Sequence, residues 1–360
     1  MSDAAPPAQA QAHASVPRQP KQEQLPASAE ITQVAPNILR TQLPISMPGL
    51  GHVNMYVLED KRGFAVVDPG MPGPASWKAL KVRLNAIGAP LKRVHSIVVT
   101  HSHPDHYGGA ARLRSETGAD IITHDSFRLF YDPSEPDEVD VETAAAHRPT
   151  WDNTPWGGEG FKFSARRRAL FQLHRSLPRF FPTARPTVRL AEGARISLAD
   201  REWVAIHTPG HTEDHLCLFD SEAGVMLCGD HVLPNITPHI SGMTKNQDPL
   251  AGFFSSLDKV AAFSAGVKIS LPAHGNPFQD LAGRCNAIKE HHIERLAKLR
   301  KISAEFNKPA TVTEFSGRLF SQRAQGPMAD SETYAHLEHL RLLGEFSYDT
   351  FDGVRQYVQD

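Results

Sequence analysis

The stretch Thr100-His101-Ser102-His103-Pro104-Asp105-His106-Tyr107-Gly108-Gly109 decides the reading of this 360-residue chain. It follows Ser96-Ile97-Val98-Val99, a short apolar run that predicts a buried strand leading into the histidine-rich segment. His101, His103, Asp105 and His106 therefore fall close together at the C-terminal end of a strand. A metal ion needs several deprotonated nitrogens or oxygens converging within about 2.0 to 2.2 Å, and imidazole plus carboxylate without thiolate suits Zn2+ or Fe2+. A loop can supply ligands this close in sequence where a regular helix could not. The pair Gly108-Gly109 predicts a tight backbone turn into a helix that begins near Ala110.

Outward from this stretch, Asn54 to Leu58 and Phe64 to Val67 predict further buried strands. Between the second of these and Ser96 lie Trp77, Leu80, Leu84 and Ile87 at helical spacing, so the order is strand, helix, strand. Apolar runs at 202–207, 216–219, 225–228 and 267–271 continue the strand count and predict a layered α/β domain over residues 31–283. The His and Asp residues of 207–215, 227–231 and 271–275, among them His211, Asp230 and His274, sit just past these runs, on the sheet edge where loops carry sites. Asp68 in Val67-Asp68-Pro69-Gly70 would either orient a ligand histidine or serve as a plain turn aspartate. His207 and His215 are expected to satisfy local hydrogen bonds. His52, His231, His239 and Tyr107 are candidates to line a substrate pocket, with a structural role the default for each.

Composition narrows the classes. Lys+Arg 38 against Asp+Glu 40 gives a net charge of −2, which counts against nonspecific nucleic-acid binding by the whole chain. No stretch approaches the ~18 apolar residues of a membrane span, and no apolar core of a secretory signal opens the chain, so no membrane association and a cytoplasmic location are expected. Cys217, Cys228 and Cys285 lack any Cys-x-x-Cys spacing and predict packing residues. Residues 1–30, with eight Ala, five Pro and five Gln, predict a disordered tail. An insertion is expected over about 126–189: residues 132–142 carry six acidic side chains, and 161–189 carry eight Lys/Arg, no acid and five phenylalanines. Its basic part is either a solvated cap or a lid that recognises an anionic group, with Arg166 and Arg167 joining Tyr107 and His239 as substrate-binding candidates. Residues 284–360 predict three helices, the second opened by a Thr311/Glu314 capping box, and a hairpin turned at Asp352-Gly353, together a winged-helix pattern. Eleven Lys/Arg balance eleven Asp/Glu there, favouring interaction or a homodimer over DNA binding.

The order and context of these elements resemble the metallo-β-lactamase superfamily, whose signature is the His101-x-His103-x-Asp105-His106 element. The spacings to His211, to Asp230 and to His274 resemble its hydroxyacylglutathione-hydrolase-like branch, with the insertion accounting for the long gap after His106. Glu332-Thr333-Tyr334-Ala335-His336-Leu337 and Gly344 look like the β-lactamase-like protein 2 group, which includes a mitochondrial endoribonuclease. The resemblance implies a four-layer αββα sandwich with a small C-terminal winged helix. It implies that His101, His103 and His211 hold one metal, that Asp105, His106 and His274 hold a second, and that Asp230 bridges them. Two Zn2+ are expected, with Fe or Mn accepted by the same ligands.

The function expected is hydrolysis of a small ester, thioester or lactone by a metal-bridging hydroxide, with Asp105 and His106 as catalytic ligands. The alternative is an endoribonuclease acting on single-stranded RNA, for which the insertion's cations and phenylalanines would serve backbone contact and base stacking. A regulatory module with a vestigial site is a third class, against which the complete ligand set argues.

Overall fold

Residues 21–47, 49–129, 154–157 and 184–360 are described by a computed structural model. Strands β1 (Thr32–Ala35), β2 (Ile38–Met47), β3 (Leu50–Asp60) and β4 (Gly63–Val67) form an antiparallel meander. Helix α1 (Pro74–Ile87) crosses to β5 (Val94–Val98), parallel to β4. Helices α2 (Pro104–Tyr107) and α3 (Ala110–Thr117) lead to β6 (Asp120–His124), and β7 (Val188–Leu190) completes this first sheet. Strand β4 is buried along its whole length, as a strand covered on both faces must be, and this is why it reads as a continuous apolar run. Trp77, Leu80 and Leu84 of α1 and Leu113 of α3 cover one face.

The other face meets a second sheet. It contains β8 (Arg195–Leu198), β9 (Arg201–His207), β10 (Leu216–Asp220) and β11 (Val225–Gly229), all antiparallel. After α4 (Pro249–Ala261), β12 (Ile269–Pro272) joins parallel to β11. Tyr56, Leu58, Val67 and Val98 of the first sheet pack between the sheets with Trp203, Leu216, Leu218 and Leu227 of the second. The outer face of the second sheet, with Ile206, Met226 and Cys228, is covered by α4 and by α5 (Leu281–Phe306). The order of layers is helix, sheet, sheet, helix, as expected, and the three cysteines are buried and free.

The chain continues through β13 (Ala310–Thr311), α6 (Val312–Leu319), α7 (Pro327–Leu342) and the hairpin of β14 (Phe346–Phe351) and β15 (Val354–Gln359). The capping box is present: Thr311 Oγ1 accepts from Glu314 N–H, and the Glu314 carboxylate accepts from Thr311 N–H. Phe315, Leu337 and Tyr357 of this segment share one apolar cluster with Leu296 and Leu299 of α5, Phe253 of α4 and Cys228 of β11. No described helix is long and apolar enough to cross a membrane.

Three expectations are corrected. Residues 21–30 are not tail: Gln22–Gln24 form a 3-10 turn, and the buried Glu23 carboxylate accepts the N–H groups of Asn235 and Ile236. The anchors are polar, so a scarcity of large apolar residues hid them. The insertion is narrower at both ends than 126–189, because Phe127, Leu129 and Ala184 are buried against the first sheet and Arg189 donates to the carbonyls of Asp125 and Phe127. Arg166 and Arg167, the acidic run and most of the basic stretch lie outside the described residues. Finally, Gly108 and Gly109 have ordinary helical φ of −60° and −83°. What they supply is space, since a Cβ would lie 2.2 Å from Pro72 at the first and 2.3 Å from the Pro69 carbonyl oxygen at the second.

Candidate metal centre

Four strand ends meet at one edge of the sandwich. Beyond β5 the chain presents His101 and His103, and Pro104 then opens α2 at a position where a missing N–H costs nothing, so that Asp105 and His106 turn inward and are buried. Beyond β9, Gly210 adopts φ 141° and passes so close beneath α4 that a Cβ would lie 2.4 Å from Phe253 Cβ. Only glycine allows that turn, and it delivers His211. Strands β11 and β12 deliver Asp230 and His274.

These seven residues converge as two groups, His101, His103, His211 and Asp230, and Asp105, His106 and His274. Asp230 spans both. Its Oδ2 lies 3.8 Å from His101 Nε2, 3.5 Å from His106 Nε2 and 3.5 Å from His211 Nε2, and its Oδ1 lies 3.2 Å from His274 Nε2. Asp105 Oδ2 is 3.4 Å from His106 Nε2 and 3.5 Å from His274 Nε2.

The outer ring nitrogens fix the tautomers. Nδ1 of His211 donates to the His239 carbonyl (2.7 Å), Nδ1 of His274 to the His52 carbonyl (2.5 Å), and Nδ1 of His106 to Asp68 (2.9 Å). Nδ1 of His101 donates to Thr100 Oγ1 (3.0 Å), whose own proton goes to Asp68. In each of these four rings Nε2 is therefore the atom turned inward. His101 Nε2 and His211 Nε2 both face His103 Nδ1, at 3.0 and 3.1 Å, three lone pairs that share at most one proton. His106 Nε2, His274 Nε2 and Asp230 Oδ1 are buried without hydrogen-bond partners. Orphaned buried polar atoms are costly, and an imidazole and carboxylate set of this kind is satisfied by divalent cations that displace its protons.

Charge is polarised in the same sense. Burial, with the neighbouring imidazoles, holds His101 well below the usual histidine range and brings His103 down to about 3. Burial would also lower His106, but Asp105, Asp230 and Asp68 outweigh it and hold that ring well above its ordinary value. Burial opposes ionisation of Asp105, yet His106 and His274 bring its carboxyl down to about 2. Cation uptake at such a site displaces protons.

Both readings of Asp68 hold. It is a turn residue at φ 52°, and its carboxylate accepts from Thr100 N–H, Thr100 Oγ1 and His106 Nδ1. His215 makes local bonds, accepting the Asp230 N–H at Nε2 (3.0 Å) and donating from Nδ1 to Thr208 Oγ1 (2.7 Å), and His207 Nε2 donates to the Glu213 carbonyl. Tyr107 is a correction, because its ring is buried edge-on to Phe127 within the first-sheet core. His52 braces the loops, donating to the Leu25 carbonyl and accepting Gly275 N–H, and His231 is buried against Phe253. His239 meets the centre through its backbone carbonyl, while its side chain turns to the Glu332 carboxylate. Sequence reasoning missed Thr100, Ser331 and Glu332. Nothing local in the chain ties residue 332 to residue 239.

Known proteins resemble this chain in sequence and in fold. The sequence profile described as "Metallo-beta-lactamase superfamily" matches residues 48–274. A probable metallo-hydrolase of Bacillus subtilis is 25% identical over 298 residues, which covers 81% of this chain and 88% of that protein. An atrochrysone carboxyl ACP thioesterase of Passalora fulva is 26% identical over 309 residues, covering 83% and 72%. A beta-lactamase domain protein from Burkholderia ambifaria has a similar solved structure, with TM-score 0.74 at 27% identity over 94% of this chain and 96% of that one. A metallo-beta-lactamase family protein from Thermus thermophilus gives TM-score 0.68 at 27% identity, over 91% of this chain and 100% of that one.

Proposed function

Because the chain belongs to the metallo-beta-lactamase superfamily and is a metal-dependent hydrolase, we propose that it cleaves a small ester, thioester or lactone at a centre of two divalent ions. The observation that carries this reading is Asp230, whose single carboxylate reaches four imidazoles drawn from both ligand groups. His101, His103 and His211 would hold one ion, Asp105, His106 and His274 the other, and Asp230 would be shared. Zn2+ suits these nitrogen-rich sets, and Fe or Mn is accepted by the same ligands. When bound, such ions supply Lewis acidity toward a carbonyl oxygen and a water that ionises near neutral pH.

The chain's own groups do the rest. Asp105, ionised and buried, offers an oxygen beside His106 and His274 that can accept a hydrogen bond from the attacking water and aim it. Asp68 and the His52 and His239 carbonyls hold three of the imidazoles in the tautomer that turns Nε2 inward. The thioesterase similarity supports an acyl thioester, and the resemblance to the hydroxyacylglutathione-hydrolase-like branch points the same way. The helices and hairpin after residue 283 are read as a charge-balanced winged helix, which favours a small substrate over a nucleic acid. A second reading, a single-stranded endoribonuclease, is favoured by the composition of 161–189, with its eight cations and five phenylalanines.

The test is turnover of a thioester, lactone and ester panel and of labelled single-stranded RNA by the wild type and by Asp230→Ala. Acyl turnover by the wild type that falls at least about 10³-fold in the variant is expected. Acyl turnover that survives in Asp230→Ala contradicts the scheme. Inert acyl substrates with Asp230-dependent, steeply salt-sensitive RNA cleavage would establish the second reading.

A further inference from the structure

His211 owes its orientation to one carbonyl, that of His239, 2.7 Å from Nδ1. That carbonyl lies between β11 and α4 in a segment without helix or strand, so its position depends on what the segment packs against. It packs against α7. Gly242 N–H donates to the Ser331 carbonyl (3.2 Å) and to Ser331 Oγ (3.0 Å), and Ser241 Oγ lies 3.3 Å from Ser331 Oγ. His239 Nδ1 donates to the Glu332 carboxylate at 3.4 Å. The fit leaves no room, since a Cβ on Gly242 would lie 2.5 Å from Tyr334 Cδ1 and 2.7 Å from the Ser331 carbonyl oxygen.

Glu332 is itself held. Arg295 of α5 pairs with its other carboxylate oxygen, and both side chains are largely buried. Burial alone would neutralise Glu332, but the His239 and Arg295 contacts outweigh it and keep the carboxyl ionised. His292 and His336 lie beside Glu332, and the three could be taken for a third metal site. The hydrogen bonds around them argue otherwise. The carboxylate already serves Arg295 and His239. His336 Nδ1 donates to the Glu332 carbonyl and its Nε2 accepts from His292 Nδ1 at 3.0 Å, so of these three side chains only His292 keeps an unpartnered atom, Nε2, and one lone pair does not make a metal site.

We propose that Ser331 and Glu332 of α7 are positioning residues of the metal centre, fixing the His239–Gly242 segment and through it the His211 imidazole. The C-terminal segment is thereby part of the site rather than an appendage to it. The inference rests on the binuclear reading above. Outer hydrogen-bond partners of ligand histidines are typically worth roughly 10- to 100-fold in metal affinity, and the variants are expected to show that loss.

The experiment uses the full-length protein as wild type, Glu332→Gln, Ser331→Ala and Gly242→Ala. Glu345→Gln is the control, breaking the Arg300–Glu345 pair of the same C-terminal segment. Zn2+ affinity is measured by competition with a chromophoric chelator, and the ligand-field spectrum of the Co2+-substituted protein reports the geometry around the ion. Glu332→Gln and Gly242→Ala should weaken binding of one ion roughly 10- to 100-fold and shift the Co2+ bands, with a smaller loss in Ser331→Ala and none in Glu345→Gln. Should Glu332→Gln fail to fold with Arg295 stranded, Gly242→Ala decides, because it leaves every ion pair intact. Gly242→Ala with wild-type affinity and spectrum overturns the proposal while the binuclear reading stands. A wild type that takes up no metal overturns both.

Discussion

At the scale of single residues, the centre depends on who holds each imidazole proton, and Asp68 shows it most sharply. Asparagine tolerates the left-handed backbone at φ 52°, so Asp68→Asn should leave the fold intact. Its amide would donate where the carboxylate accepts, however, turning His106 to the other tautomer and placing the proton on Nε2, the atom that faces Asp105 and Asp230. We expect roughly 10- to 100-fold weaker metal binding with an unchanged thermal midpoint; unchanged metal affinity would contradict the tautomer argument. The motifs just past apolar runs marked the segments that hold the seven candidate ligands, and the family resemblance singled out the seven among their neighbours. The residues around them were not legible in the sequence. Tyr107 shares the motif with His106, yet its surroundings are set by Phe127, and His239 is turned by Glu332, neither of which is nearby in sequence.

At the scale of elements, the α5–α7 contact carries a pH dependence of its own. Burial brings His336 down to about 4 and His292 down to about 2. In the unfolded chain each would take up a proton near pH 6.5 while the folded protein refuses it, so stability is present above that pH and is lost as pH falls. Between pH 7 and 5.5 the wild type should lose on the order of 1 kcal/mol per histidine more than the His292→Leu/His336→Leu variant, read from urea midpoints. An equal loss in both would show that the pair does not titrate in this way. The helices themselves were read well inside their ends and poorly at them. Asp280 caps α5 by accepting Gly283 N–H, and Pro327 opens α7, four residues before the predicted start at Ser331. The hairpin was legible because Asp352-Gly353 supplies two consecutive positive φ angles.

At the scale of the whole molecule, the chain after residue 283 shares one apolar cluster with the second sheet. Balanced charge and a change of helical pattern suggested a boundary, but a boundary in sequence pattern carries no information about which apolar face the helices bury. A chain ending at residue 283 should fail to unfold cooperatively, because Ile206, Met226, Phe253 and Val260 lose their cover, and Leu299→Ala should cost about 2 to 5 kcal/mol in the intact protein. A truncated chain that unfolds cooperatively with wild-type metal affinity would show the two parts to be independent. The layered α/β class of the fold was legible in the apolar runs, and the order of its layers followed from the resemblance to the metallo-β-lactamase superfamily. The true edges of the insertion were not legible, since acidic and basic runs concealed Phe127 and Ala184.

On the proposed reading, His101, His103, Asp105, His106, His211, Asp230 and His274 hold two ions with Asp230 between them. Elemental analysis of metal per chain, for the wild type and Asp230→Ala after identical Zn2+ loading and desalting, tests it directly. About two ions are expected in the wild type and fewer than one in the variant, as loss of a shared ligand weakens both sites. A wild type free of metal, or an Asp230→Ala protein that keeps two ions, would contradict it.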